Sequence, residues 1–254
     1  MKNVVIIICL AMAMLYGVRA NAQTPYDKEK MEEIGNLAKN GKASMSEFVS
    51  WAIAEPEDEV YGPLNKAWDR YRRRKPLDKG VKIVLDEKNG YFRYDVDYEK
   101  QGADPSKSTL FVEICLWNCD DGEHKLMAVN IGGTANGKPH DNEQYDGYAF
   151  YLYDKVTREL YIFNEVIDAD ELSSLISSPE WQYDGKQWYY VTDYVTGEKT
   201  QMNSEEFGQW LDSRLVVEMS LPRDGKDIKV IVYSATGNKE YTFTWDGYRF
   251  HLAK

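Results

Sequence analysis

Leu110-Phe111-Val112-Glu113-Ile114-Cys115-Leu116 returns 105 residues further on as Leu215-Val216-Val217-Glu218-Met219-Ser220-Leu221, with a glutamate at the same register. Each heptad leads into an Asp-Gly pair, Asp121-Gly122 or Asp224-Gly225, and then into a second apolar stretch, Leu126–Val129 or Ile228–Val232. Alternation of period two is the pattern of a strand with one buried face. Its recurrence in the same order predicts a duplicated β unit.

Upstream of the first heptad, Val81–Leu85 runs through Asn89-Gly90, a hairpin turn signal, into Tyr91–Tyr98. Downstream, Tyr148–Tyr153 and Glu159–Phe163 continue the first unit, and the second begins near Trp181, with Asp184-Gly185 in place of Asn89-Gly90. Aromatic Asp-Gly turns recur at Tyr145-Asp146-Gly147, Tyr183-Asp184-Gly185 and Trp245-Asp246-Gly247. If each is a two-residue loop, Trp245 opposes Tyr248, Phe243 opposes Phe250 and Trp181 opposes Trp188. Such pairs lock hairpins, and flat aromatic rows also suit stacking on sugars. Between the units, Asp168 to Glu171 caps a short helix through Ile176, and Asn203 or Ser204 caps another through Leu211.

Before Val81 the period is helical. Met31, Ile34, Leu37 and Ala38 mark one face of a first helix ending at Asn40-Gly41. Ser44-Met45-Ser46-Glu47 is a capping box for a second, stopping before Pro56, and Val60, Leu64, Ala67, Trp68 and Tyr71 mark a third, with Pro63 in its first turn. The resulting class is α+β: a short N-terminal helical segment, then predominantly antiparallel sheet in two related β-meander units. The organisation reads as a signal peptide over 1–22, a helical lead packed on the sheet over 23–79, a first β unit over 80–166, and short helices plus a second β unit over 167–254.

Lys2, the apolar run Val4–Leu15 and the small-x-small triplet Ala20-Asn21-Ala22 have the form of an export signal cleaved after Ala22. The run is shorter than the ~20 residues a membrane-spanning helix needs, so the mature chain is expected in the periplasm or outside the cell, with no membrane span. Loss of residues 1–22 removes Lys2 and Arg19 and no acidic side chain, which leaves 29 basic against 42 acidic side chains, a formal charge of −13. Such a surface repels polyphosphate and lacks the counterion-release gain that drives nucleic-acid association, so no nucleic-acid partner is expected. The cluster Arg70, Arg72, Arg73, Arg74 and Lys75 reads as the last turn of a helix, where cations complement the dipole, with an anion-binding site as the alternative.

Candidate chemistry is sparse. Alternation puts Glu113 and Glu218 on the face opposite the apolar set, where two strand carboxylates invite a glycosidase reading and otherwise stand in water. Trp117 shares the Glu113 face and is a candidate ligand contact. The Gly-, Asn- and Asp-rich segment Gly132–Gly147 is long where the second unit has only Ala235–Lys239. Its His140, Asp141, Asn142, Glu143 and Asp146 are candidate ligand-binding groups, but their spacing matches no EF-hand, and neither metal nor cofactor is expected. Cys115 and Cys119 are a possible disulfide: residues four apart in a strand lie ~13 Å from each other, so a bridge requires a turn near Asn118. The exported compartment permits one, whereas Ser220 at the position matching Cys115 shows that the repeat needs no thiol there. His124 and His251 have no motif partner, and no Ser-His-Asp order, HExxH, phosphate-binding glycine loop or CxxC pair occurs.

The export signal, the helical lead, Trp117-Asn118-Cys119 followed by Lys125–Asn130, Phe150–Asp154 and the closing Thr244–Phe250 together resemble the uncharacterised secreted proteins of anaerobic gut bacteria, a family of unknown function. The resemblance covers mainly residues 80–254 and brings no catalytic motif. The expectation is a secreted, non-enzymatic binding or interaction protein, with glycan or an envelope protein as partner. The alternatives are a carbohydrate-active hydrolase using Glu113 or Glu218, and an inhibitor or assembly protein using an exposed β edge.

Overall fold

Strands follow one another as antiparallel neighbours through most of the chain, as alternating β-branched and aromatic residues separated by Gly-containing turns dictate. The computed structural model describes residues 26, 31–37, 43–54, 61–102, 109–135, 138–139, 147–167, 181–192, 199–207, 216–234 and 237–253. The elements are β1 (Glu33–Asn36), α1 (Met45–Ala52), α2 (Tyr61–Arg72), β2 (Val81–Asp86), β3 (Tyr91–Asp97), α3 (Tyr98–Gln101), β4 (Thr109–Asn118), β5 (His124–Ala135), β6 (Lys138–Pro139), β7 (Gly147–Asp154) and β8 (Glu159–Ile162). There follow β9 (Trp181–Tyr183), β10 (Tyr189–Thr192), β11 (Lys199–Met202), β12 (Val216–Ser220), β13 (Ile228–Ser234), β14 (Gly237–Trp245) and β15 (Phe250–Leu252). A large sheet runs β1-β8-β7-β5-β4-β3-β2, with β6 beside the end of β5; β12-β13-β14-β15 form a second sheet and β11-β10-β9 a third.

The large sheet is buried on both faces. On one, Phe92, Tyr94, Val112, Ile114 and Met127 pack against Phe48, Val49, Leu64 and Trp68 of α1 and α2. On the other, Cys115, Trp117, Leu126, Phe150 and Leu152 meet Met219, Leu221, Ile228, Phe243 and Phe250 of the second sheet. The layers are therefore helices, large sheet, second sheet. The outer face of the second sheet carries the exposed Ser220, Lys229, Glu240, Thr244 and His251.

The α+β class holds, and several local expectations are corrected. The capping box is present: Ser44 accepts from the Glu47 amide and Glu47 from the Ser44 amide, the latter at 2.7 Å. Residues 33–36 are a strand, not the helix their apolar spacing predicts. They add to the edge of β8, with a register shift between Glu33 and Gly35, and the unpaired backbone of that edge outweighs the helical period of so short a segment. The helix expected over Asp168–Ile176 lies outside the described residues, whereas Asn203 does cap a helical turn over residues 204–207, accepting from the Glu205 and Glu206 amides.

The Asp184-Gly185 and Asp246-Gly247 turns are longer than two residues. Trp181 opposes Val191, not Trp188; Trp245 opposes Phe250, not Tyr248; and Phe243 opposes Leu252. The aspartate is the cause. Asp184 Oδ1 accepts from the amides of Lys186, Gln187 and Trp188 at 2.8, 2.9 and 3.0 Å, and Asp246 Oδ1 from those of Tyr248 and Arg249, both at 2.7 Å. Each side chain thus replaces ladder bonds with a local turn, while Gly185 and Gly247 take the positive φ that follows.

The repeated heptads head two meanders of the same order, β4-β5-β7-β8 and β12-β13-β14-β15. They are placed differently. β4 is interior and continues into β3, whereas among the described residues β12 pairs with β13 alone, and β9, β10 and β11 form a sheet apart. The apolar set of β4 faces the helices, and the matched Met219 and Leu221 face the large sheet.

Because both cores share one sheet, Phe48→Ala and Phe243→Ala are each expected to cost about 3–5 kcal/mol within a single unfolding transition. Denaturation followed by tryptophan fluorescence and far-UV circular dichroism checks this; separate transitions would make the second sheet an independent domain.

Candidate functional site

Glu113 is only 2% exposed, which corrects the expectation that it stands in water: the face opposite the β4 apolar set is the interface with the second sheet. Its Oε1 accepts from the Tyr91 hydroxyl and from Arg93 Nη1, both at 2.7 Å. Its Oε2 accepts from Asn130 Nδ2 at 3.1 Å and from the Leu221 amide at 3.2 Å. Asn130 Nδ2 also donates to the Met219 carbonyl at 2.6 Å. Arg93 is oriented in turn, with Nε 2.7 Å from Asp95 and its guanidinium carbon 4.5 Å from the Phe111 ring centroid. Burial first, and then the Glu113 carboxylate, raises the Tyr91 hydroxyl far above its usual range, so it stays a donor. With both oxygens doubly engaged, this carboxylate clamps β12 to the large sheet.

Glu218 is half-buried and opposes Ile231. Alternation from the buried Met219 places it on the far face of β12. The backbone of β12 therefore lies between the two glutamates. Trp117 is 3% exposed, donates from Nε1 to the Lys226 carbonyl at 2.8 Å and meets Phe250 edge to face at 5.2 Å, so it presents no ring to a ligand. His140, Asp141, Glu143 and Asp146 lie outside the described residues.

Cys115 and Cys119 are free thiols, both buried. They have separate partners: Cys115 donates to the Pro222 carbonyl at 3.3 Å, and Cys119 accepts from the Tyr26 hydroxyl at 3.2 Å. Burial pushes Cys115 up to about 12 and Cys119 up to about 11, so neither is a thiolate nucleophile at neutral pH. Among the described residues, no group of three or more His, Cys, Asp and Glu side chains is placed to hold a metal ion.

The partners of the two histidines come from the Asp-Gly turns. Asp121 Oδ1 accepts from the Glu123 and His124 amides, and its Oδ2 lies 2.8 Å from His124 Nδ1. Asp246 Oδ2 likewise lies 2.9 Å from His251 Nε2. The sequence signal was an Asp-Gly pair with a histidine three or five residues on. The turns also pack together, the Asp120 amide donating to the Gly247 carbonyl at 3.1 Å, and Tyr26 lies against them with its ring 5.1 Å from His124 and 5.9 Å from Tyr248.

A different surface stands outside both cores. In the third sheet Tyr183 opposes Tyr189, and Tyr189 opposes Met202. Tyr183 and Tyr189 have centroids 4.8 Å apart at 31°, and Tyr189 stacks on Phe207 at 4.1 Å and 4°. Phe207 is buried, whereas Tyr183 is 48% exposed, one of two large hydrophobic residues so placed among those described. The ladder thus ends in a free aromatic face beside the exposed polar Gln182, Asp184 and Lys186.

No family model matches the sequence, and no curated protein matches it. A solved structure of a domain of an uncharacterized protein from Porphyromonas gingivalis W83 is similar at a TM-score of 0.35 and 11% identity, over 83% of this chain and 98% of that one. No helix among the described residues is long and apolar enough to cross a membrane.

Arg93→Ala strands the Glu113 carboxylate between the sheets and is expected to cost about 2–4 kcal/mol, less than for a fully enclosed pair because the guanidinium is partly solvated. Urea denaturation measures this; a loss below about 1 kcal/mol would mean that Tyr91, Asn130 and the Leu221 amide satisfy the carboxylate alone.

The acid limb of stability gives a second check. Burial works to raise the Asp121 carboxyl, but the His124 amide, the imidazole and the Glu123 amide outweigh it and hold the group below the usual carboxylate range. A lowered folded value contributes stability above the unfolded value near ~3.9, and this is lost as pH falls through the folded value. Asp121→Asn is therefore expected to be less stable than the parent at pH 7, with the gap closing below about pH 4. A gap independent of pH in melting experiments would sink this assignment.

Proposed function

We propose that the mature chain is an exported, non-enzymatic binding module whose ligand is a glycan or another cell-envelope component. The observation that carries this reading is the half-exposed ring of Tyr183, backed by Tyr189 and Phe207. A rigid, exposed aromatic face offers apolar contact to the C–H face of a sugar ring at low entropic cost. The hydrolase reading has less support, because Glu113 is engaged on both oxygens and β12 stands between it and Glu218.

Residues 23–254, screened on a glycan array, are expected to retain a neutral oligosaccharide. Tyr183→Ala should weaken that binding about tenfold, equivalent to ~1.4 kcal/mol, at an unchanged melting temperature, and Tyr183→Trp should preserve it. Equal binding by the alanine variant, or retention of no glycan at all, would overturn the reading.

A further inference from the structure

The stop of α2 is built on a residue type that its backbone disfavours. The Arg74 amide donates to the Tyr71 carbonyl at 2.9 Å and the Lys75 amide to the Arg70 carbonyl at 2.8 Å. These are the two bonds of a Schellman motif, and Arg74 holds its left-handed position at φ 55°. Glycine is the usual residue there, because a side chain in that conformation crowds the following carbonyl. A cation stands where glycine would be more stable.

The neighbouring charges suggest what the strain is for. Arg70 is tied to Asp78 at 2.6 Å across the loop, and Arg73 to Asp69 at 2.9 Å one turn back along the helix. Arg72, Arg74 and Lys75 are exposed and, among the described residues, have no acidic partner. Lys79 and Lys82 follow, also exposed, and β2 is an edge strand. Complementing the helix dipole accounts for Arg70 and Arg72, in the last turn, but not for cations placed beyond the stop. All this occurs on a chain of formal charge −11.

We propose that this basic corner binds an acidic polysaccharide, the guanidinium and ammonium groups of Arg72, Arg74 and Lys75 receiving carboxylate or sulfate groups along the polymer. Arginine forks match both anions, and their spread along one corner suits a linear array of charges. A polymer strand can engage the corner alone, where Asp69 and Asp78 are already paired to Arg73 and Arg70, without facing the rest of the acidic surface. A planar anionic membrane would bring much of that acidic surface into repulsion. The proposal takes from the glycan reading only that the ligand is a sugar polymer, and it concerns a surface separate from Tyr183.

The test uses residues 23–254 on immobilised polygalacturonate. The parent is expected to bind at low salt and elute as salt rises. The triple variant Arg72→Ser, Arg74→Ser and Lys75→Ser should lose at least tenfold in affinity, and Arg74→Lys, which keeps the charge but not the fork, should fall between it and the parent. Arg74→Gly separates function from stability: it should weaken binding while raising the melting temperature by ~2–4 °C. Equal binding by the triple variant would overturn the proposal, as would retention of the parent by phosphatidylglycerol vesicles but not by polygalacturonate. If Tyr183→Ala abolishes neutral-glycan binding and the triple variant leaves polygalacturonate binding intact, the glycan reading stands and this one fails. Loss of polygalacturonate binding in the triple variant, with no neutral glycan bound by the parent, gives the reverse.

Discussion

A carboxylate buried between two sheets sets the terms for the rest of the molecule. Glu113 lies where desolvation is most costly, and it is tolerated because a cation, a hydroxyl, an amide side chain and a backbone amide converge on its two oxygens. One of those contacts reaches across the interface, the Leu221 amide donating to Glu113, and a further bond crosses beside it, Asn130, which opposes Glu113 across β4 and β5, donating to the Met219 carbonyl. Apolar packing between sheets is non-directional and would accept several offsets. The polar clamp accepts one, since a slip of one residue along β12 would present a carbonyl to Glu113 and leave buried groups unsatisfied.

That clamp also explains how far the fold was legible in the sequence. The alternation of Leu110 to Leu116 correctly located a strand and its apolar face. Phe111, Cys115 and Trp117 made the other face nearly as apolar, the mark of a strand covered on both sides, but the charge of Glu113 at its centre pointed to solvent and the covering layer lies a hundred residues away. The capping box at Ser44 and Glu47 was readable because its partners are three residues apart. Residues 33–36 were misread because a four-residue segment takes its conformation from the edge it joins. The Asp-Gly loops were misjudged in length because the dipeptide signal ignores the aspartate oxygen, which at Asp184 takes three amides.

The candidate site was legible only in part, for a related reason. Glu113, Trp117 and both cysteines were singled out by residue type, and in each case the partners that engage them are distant in sequence: Leu221, Lys226, Pro222 and Tyr26. Residue type announces potential chemistry, and tertiary placement decides whether it is available. Here placement withdraws it, since the carboxylate is doubly engaged at each oxygen and burial holds both thiols protonated. By sequence Tyr183 belongs with the hairpin aromatics. Nothing local distinguished it from Trp245, which turned out to be buried against Phe250.

What remains available lies outside the three layers. The cores set the stability of the sandwich, so the third sheet and the end of α2 are free to be arranged for contact with a partner. Both show local order greater than exposure alone would need. Asp184 closes its turn with three amide bonds immediately after Tyr183, and the opposing Tyr189 is stacked on Phe207, so the exposed ring is held from both sides. The end of α2 is likewise held by the Schellman bonds and the Arg70–Asp78 pair. Surface groups that serve only solubility need no such support, whereas a binding group gains affinity from it, because freedom surrendered on folding is not surrendered again on association.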